Sequence, residues 1–167
     1  MAFVTTRVAI PIHEFDVEMA STRRLLERVP TEQGPWKPHP KSFALGHLAQ
    51  LVSWIPGWIT STLRERSLDL AAAPGYSYQP TVALLMGFDD AVRSARDALV
   101  SVVGADLDVS WSLKNGAQVL MAMPRGDVAR MHLSHLVHHR GQLTVYLRLL
   151  DVPLPSIYGP TADEKWG

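Results

Sequence analysis

Four of the seven histidines stand within eight residues, at His132, His135, His138 and His139. This segment constrains the fold strongly, because several buried histidines need partners for their ring nitrogens. An α-helix turns by about 100° per residue, so His135 and His139 would lie about 40° apart on one face. Two imidazoles at that spacing can bind one cation. The segment therefore predicts half of a metal site on a helix.

A zinc-like ion takes three or four ligands, so this pair needs a further donor from elsewhere in the chain. The candidate is His47, followed at i+4, i+7 and i+11 by Leu51, Trp54 and Trp58. These positions share one face of a second predicted helix, and we expect that face to point into the core. A core histidine bonded to a carbonyl group would suit the same position, so the pattern alone leaves both roles open.

The other two histidines of the cluster fit simpler roles. We interpret His138 as support for the pair or as packing, and His132 as packing or surface. Their spacing excludes neither as a ligand.

The composition excludes several other classes of site. The 167 residues include 16 basic and 16 acidic side chains and no cysteine. Without cysteine there is no disulfide and no thiolate ligand, so nitrogen and oxygen donors must hold any metal. The zero formal charge, with no stripe of Lys or Arg, gives no basis for nucleic-acid binding. A chain of this length buries one core, and we expect a single domain over residues 1–167.

Residues 1–12 lack the basic-then-apolar order of a secretory signal, and no apolar run reaches the length of a membrane span. We therefore expect a soluble, cytoplasmic protein without a membrane partner.

Periodic apolar positions predict four helices. The first covers residues 11–29 and the third covers 81–103, while the fourth starts near Pro124 and continues to Leu149. The second starts after Ser42 as its N-cap and continues, bent, through Pro56 and Gly57.

A β-hairpin is predicted before the fourth helix, where Asn115-Gly116 separates two short apolar runs. The same pattern places Trp111 and Leu113 on one face with Gln118 and Leu120. Residues 67–80 are predicted to be a loop, and the proline-rich tail 152–160 to pack back over the helices. The fold class expected is all-α, an up-down four-helix bundle with a small β-hairpin insertion before the last helix.

Several motifs resemble those of a known family. They are Trp36-x-Pro38 leading to Ser42 and Gly46-His47-Leu48, the run from His135 to Leu143 followed by Tyr146-Leu147-Arg148, and the segment from Tyr158-Gly159-Pro160 to Glu164. Together they make nearly the whole chain similar to the DinB-like superfamily of helical bundles, which also includes YfiT-type metal-dependent hydrolases.

This resemblance implies that His47, His135 and His139 bind a divalent ion, commonly nickel or zinc, with water completing the coordination. The superfamily also includes thiol transferases that use bacillithiol, mycothiol-dependent maleylpyruvate isomerases and many members without an assigned reaction. The resemblance therefore carries over the ligands but no reaction. It also favours a homodimer, since dimers are common in the family and the outer face of the fourth helix carries small or branched residues (Val137, Gly141 and Val145).

Two functions are consistent with these features of the sequence. In the first, an open three-histidine site activates a low-molecular-weight thiol or a water for transfer to, or hydrolysis of, a small molecule. Its pocket would be lined by Trp54, Trp58 and Tyr146. In the second, the ion is structural or stored and the bundle serves binding or assembly. The sequence assigns no general base, since Gln142 can orient a bound molecule but cannot take a proton.

Overall fold

The computed structural model describes residues 9–165 of the chain. Most of them form four α-helices: α1 (Ile12–Leu26), α2 (Leu45–Arg64), α3 (Thr81–Ser101) and α4 (Arg125–Leu149). Three short strands form one sheet: β1 (Ser67–Asp69), β2 (Ser110–Asn115) and β3 (Gln118–Pro124). The expectation about an N-terminal signal falls mostly on residues 1–8, which lie outside the described range. Within that range, no helix combines the length and the hydropathy that a bilayer crossing requires.

The helices follow the predicted periodicity, with differences at their ends. α2 continues through Pro56, as predicted. It begins at Leu45 after an extended Ala44, so Ser42 is not its N-cap. α3 ends at Ser101 because Val102 takes up an extended backbone. α2 packs against both α3 and α4, and α1 packs against the same two helices.

The sheet is larger than the predicted hairpin. β2 and β3 pair antiparallel around a two-residue turn in which Gly116 has φ of 59°. β1 adds a third strand parallel to β2, with Ser67 opposite Ser112. The prediction of a loop at this point, and of the hairpin as the sole β structure, was wrong. A strand of three residues is too short to show a period, and its partner lies far along the chain.

A β-bulge also changes the register of the hairpin. Trp111 lies opposite Met123 and Leu113 opposite Met121, with an irregularity between Leu113 and the next residue of β2. The predicted grouping with Leu120 was wrong, because the bulge inserts one residue into β3 and turns the residues after it over. Gln118 precedes the bulge and lies opposite Asn115, in phase with Leu113 as predicted. Accordingly Trp111 is 1% exposed and Leu120 is 46% exposed.

The histidine-bearing faces lie at the edge of the core. The side chains of α2 that fill the core are 0–1% exposed and come from Leu45, Leu48, Val52, Ile55 and Ile59. By contrast, His47, Leu51, Trp54 and Trp58 are half-buried. The expectation that this second face points into the core was wrong, because α2 is apolar on almost every side and its bulkier residues cover the flank. On α4 the core is filled by Leu136, Leu143 and Leu147.

The tail after α4 packs back over the helices, which confirms that prediction. Arg140 on α4 is 2% exposed and pairs with Glu18 on α1, with 2.6 Å between Nη2 and Oε2. The same Nη2 donates to Tyr158 Oη over 2.6 Å, and that hydroxyl donates to Glu18. Arg24 on α1 pairs with Glu164 of the tail. This network joins α1, α4 and the tail.

Candidate metal centre

α2 and α4 run antiparallel, and two contacts show how they are aligned. At one end, Tyr146 Oη donates to the Phe43 carbonyl over 3.2 Å. At the other end, the rings of Trp58 and His135 have centroids 5.7 Å apart. His47 and His139 lie between these two contacts, each on its own helix. The facing flanks of α2 and α4 therefore carry all three predicted ligands.

His135 and His139 converge as their spacing predicted. Their Nε2 atoms lie 2.8 Å apart. His139 Nδ1 lies 2.7 Å from Oε1 of Gln142. Because the amide oxygen accepts, Nδ1 carries the ring proton and the lone pair of His139 Nε2 is free to face His135. Gln142 thus holds His139 in the tautomer that binds a metal through Nε2.

The pair suits two neighbouring positions around a divalent ion. Two nitrogens bound to a tetrahedral zinc at about 2.0–2.1 Å lie about 3.4 Å apart, so a small rotation of one ring is enough. A histidine must also be neutral to bind a metal. Burial, and then the neighbouring His139 and His138, lowers the pKa of His135. Burial, with a smaller effect from Lys37, lowers the pKa of His47.

His47 is not brought to the pair. Its ring stacks on Tyr76, with centroids 4.6 Å apart and planes 13° apart, and it contacts Phe43 at 4.4 Å. Across residues 9–165, no group of three or more His, Cys, Asp or Glu side chains is arranged to hold a metal ion. The structure therefore brings two of the three predicted ligands together and leaves the third on the facing flank, between two aromatic rings.

The loop before α3 holds Tyr76 over His47. The side chain of Gln50, buried in α2, accepts from Ser77 N and donates to Ser77 O. Gly46 allows Tyr76 to approach, because an added Cβ there would lie 2.9 Å from Tyr76 Oη. Gly46 and His47, neighbours in one motif, therefore both contact Tyr76.

Two cavities of opposite character adjoin the pair. An apolar cavity of about 610 Å³ lies beside His135, with walls that include Trp58, Trp111, Leu113, Met121 and His132. A polar recess of about 220 Å³ lies beside His139 and is lined by Lys41, Ser42, Phe43, Gln142 and Tyr146. The pair stands between them, with one histidine in each wall.

The predicted pocket of Trp54, Trp58 and Tyr146 does not exist as one space. Trp54 and Trp58 border a further cavity of about 610 Å³ near the sheet. Tyr146 lines the polar recess instead. The physical reason is length, because Tyr146 stands roughly three turns, about 16 Å, beyond His135 along α4.

His132 is a wall residue that the sequence interpretation did not assign to the site. It is 8% exposed, and its ring lies 5.8 Å from that of Trp58. Burial, with a smaller effect from His135, lowers the pKa of His132 to about 4. Its i, i+3 spacing from His135 was the available signal, since residues three apart are neighbours on a helix.

Comparison with known proteins places these features in a family. The model of the DinB family matches residues 13–166. The chain belongs to the DinB family. It is 29% identical to the uncharacterized protein YrdA of Bacillus subtilis (strain 168), over 93% of this chain and 89% of that one.

Two crystal structures of DinB-like proteins share the fold. For YjoA of Bacillus subtilis the TM-score is 0.67 at 16% identity, with 87% of this chain and 95% of that chain covered. For a protein of Bacillus cereus ATCC 10987 the TM-score is 0.68 at 22% identity, with 87% and 94% covered. Membership of the DinB family confirms the resemblance inferred from the sequence motifs.

Proposed function

We propose that this DinB-family protein binds a divalent metal ion, nickel or zinc, through His47, His135 and His139. We further propose that it acts on a small molecule as a metal-dependent transferase or hydrolase, with a low-molecular-weight thiol as the partner in transfer. The observation that carries the proposal is the oriented pair, in which two Nε2 atoms lie 2.8 Å apart. Gln142 orients one of these rings, and each ring borders a different cavity.

His47 completes the ligand set by turning its ring out from between Phe43 and Tyr76. All three histidines lie on facing flanks, so rotation about side-chain bonds is the smallest change that would join them. When bound, the ion would lower the pKa of a coordinated thiol or water and supply a nucleophile near neutral pH.

The residues around the pair support a reaction between two different molecules. Lys41 and Ser42 give the polar recess a cation and a hydroxyl, which suit the carboxylate of a small thiol. Trp58 packs on His135 and, with the other apolar walls, makes that side of the pair apolar. Asp and Glu are absent from the described linings of both spaces, so neither offers a carboxylate as a general base.

A structural or stored metal is the second candidate. It is favoured by the contact of His47 with Tyr76, because a loop closed over the ligand leaves less access for a substrate. In this case the metal would stabilise the helices rather than present a reactive group.

Cobalt(II) substitution tests the proposal, because a thiolate bound to cobalt gives its own charge-transfer absorption. Addition of 2-mercaptoethanol should produce this band, and ethanol should not. The response should be lost in His139→Ala and kept in His138→Ala, whose ring packs on His139 without being a proposed ligand. Removing the ion with a chelator should leave the helical circular dichroism unchanged. If the chelator unfolds the protein and no thiol alters the cobalt spectrum, the metal is structural.

A further inference from the structure

The apolar cavity beside His135 has the form of a small-molecule site. It is an open cleft of about 610 Å³ between α2, α4 and the sheet, within the range of volumes that hold drug-sized ligands. Its walls combine two indole rings, Trp58 and Trp111, with the thioethers of Met121 and Met131. Aromatic rings and methionine sulfurs make favourable contacts with aromatic ligands.

Unpartnered polar atoms are concentrated in the same wall. Six buried side-chain nitrogen or oxygen atoms lack a hydrogen-bond partner among residues 9–165. Three of them belong to residues of this wall, Nδ1 and Nε2 of His132 and Nε1 of Trp111, and these atoms are covered rather than exposed at the cavity surface. The two rings stand perpendicular, with centroids 6.3 Å apart. Since a buried polar atom without a partner is costly, this wall is suited to a ligand that brings a polar group.

The lining offers no partner for a charged ligand. Its described residues are apolar apart from Ser134 and three histidines, and none is Lys, Arg, Asp or Glu. His132 is buried and neutral at physiological pH, so it adds no charge to the wall. An ionic group placed here would lose its hydration without gaining a counter-ion.

We propose that this cavity binds an uncharged aromatic molecule carrying a hydroxyl or carbonyl group. A turn of the His132 ring would bring one of its covered nitrogens to the polar group, and the aromatic body would fill the space between Trp58, Leu113 and Met121. Because His135 lies in the same wall, the molecule would be held next to the metal-binding pair. This inference rests on the proposed function, for which it names the class of substrate.

The test uses N-phenyl-1-naphthylamine, an uncharged aromatic probe whose fluorescence rises in apolar sites, on full-length protein freed of metal by a chelator. Saturable binding of about one probe per chain is expected. Met121→Lys should weaken it at least about tenfold, because the ammonium group would lie in the cavity. Val119→Lys is the matched control, since Val119 lies on the same strand but is 54% exposed and outside the lining.

Displacement of the probe by related aromatic molecules distinguishes the hydrogen bond to His132 from the apolar contacts of the cavity. In the wild type, 1-naphthol should displace the probe about three- to tenfold more effectively than naphthalene, and 1-naphthalenesulfonate should be the weakest. In His132→Leu the advantage of the hydroxyl should disappear. Equal displacement by 1-naphthol and naphthalene in the wild type would overturn the role of His132.

Absence of saturable binding, or equal binding to Met121→Lys, would overturn the proposal. If Met121→Lys does not fold, Met131→Trp serves instead, because it narrows the cavity from a side chain that is 39% exposed. Probe binding that increases on dilution would show that a second copy of the chain covers the cavity, which also overturns it. Because no metal is present, these results stand apart from the cobalt experiment, and either can fail alone.

Discussion

Replacing His132 by leucine is expected to change the pH dependence of stability more than stability at neutral pH. Above pH 7 both the folded and the unfolded chain hold this imidazole neutral. Leucine is similar in size and removes two ring nitrogens that have no partner within the described residues. The free energy of unfolding at pH 7.5 should therefore not fall, and should rise by about 1 kcal/mol, the lower end of what an unpartnered buried polar group costs.

In acid the two proteins should diverge. Burial lowers the pKa of His132 to about 4 in the folded state, from an ordinary value of 6.5. Below pH 6.5 the unfolded chain takes up a proton that the folded chain refuses, so stability is lost as the pH falls from 6.5 towards 4. At about 1.4 kcal/mol per pH unit, this difference corresponds to about 3 kcal/mol. His132→Leu should not show this contribution to the loss of stability in acid.

Urea unfolding of metal-free protein, followed by circular dichroism from pH 7.5 to pH 4, measures this difference. Subtracting the variant's curve from that of the wild type removes the contributions of other titrating groups. His39→Leu, at an exposed position, should give a curve parallel to the wild type. If the curve for His132→Leu stays parallel to that of the wild type within about 1 kcal/mol over this range, burial does not lower the pKa of His132 in the folded protein.

Three further predictions follow from the structure. Arg140→Met should lower the free energy of unfolding by about 3 kcal/mol in urea titrations, because it leaves the Glu18 carboxylate, in a side chain only 12% exposed, without its charged partner. Tyr76→Ala should strengthen nickel binding measured by calorimetry, because it frees the ring of His47. Light scattering should give the mass of two chains. Val145 is 57% exposed on the outer face of α4, and Val145→Glu should reduce the measured mass to that of a single chain.

The first two of these predictions have a matched control. Arg93→Met removes an ion pair whose side chains are 70% and 74% exposed, and it should change stability by less than about 0.5 kcal/mol. Tyr76→Phe keeps the stacked ring and should bind nickel like the wild type. Equal losses in the two arginine variants, or equal nickel affinity for Tyr76→Ala and the wild type, would contradict the contacts described above. A wild-type mass of a single chain at micromolar concentration would exclude the homodimer.

The sequence predicted best where one local pattern decides the outcome. Four long periodic segments became four helices, and i, i+4 spacing on α4 brought His135 and His139 together. The turn was predictable because Gly116 readily adopts the positive φ that its position needs, although Asn115 itself belongs to β2 and pairs with Gln118. These features depend on neighbours within a few residues, so a single sequence contains them.

The features that the sequence missed depend on distant parts of the chain. β1 is recognisable only by its pairing with β2. The bulge that turns Met121 towards the helices cannot be read from the alternation of apolar and polar residues in β3. The stacking of Tyr76 on His47 joins a loop to α2 and depends on the Gln50–Ser77 bonds. The apolar cavity needs α2, α4 and the sheet together, so no single period could predict it.

The metal content of purified protein loaded with nickel or zinc tests whether His47, His135 and His139 form a metal site. About one ion per chain is expected in the wild type. His47→Ala, His135→Ala and His139→Ala should each remove most of it, whereas the exposed His13→Ala and His39→Ala should keep it. Stoichiometric metal in the variant that combines the first three substitutions would contradict the assignment.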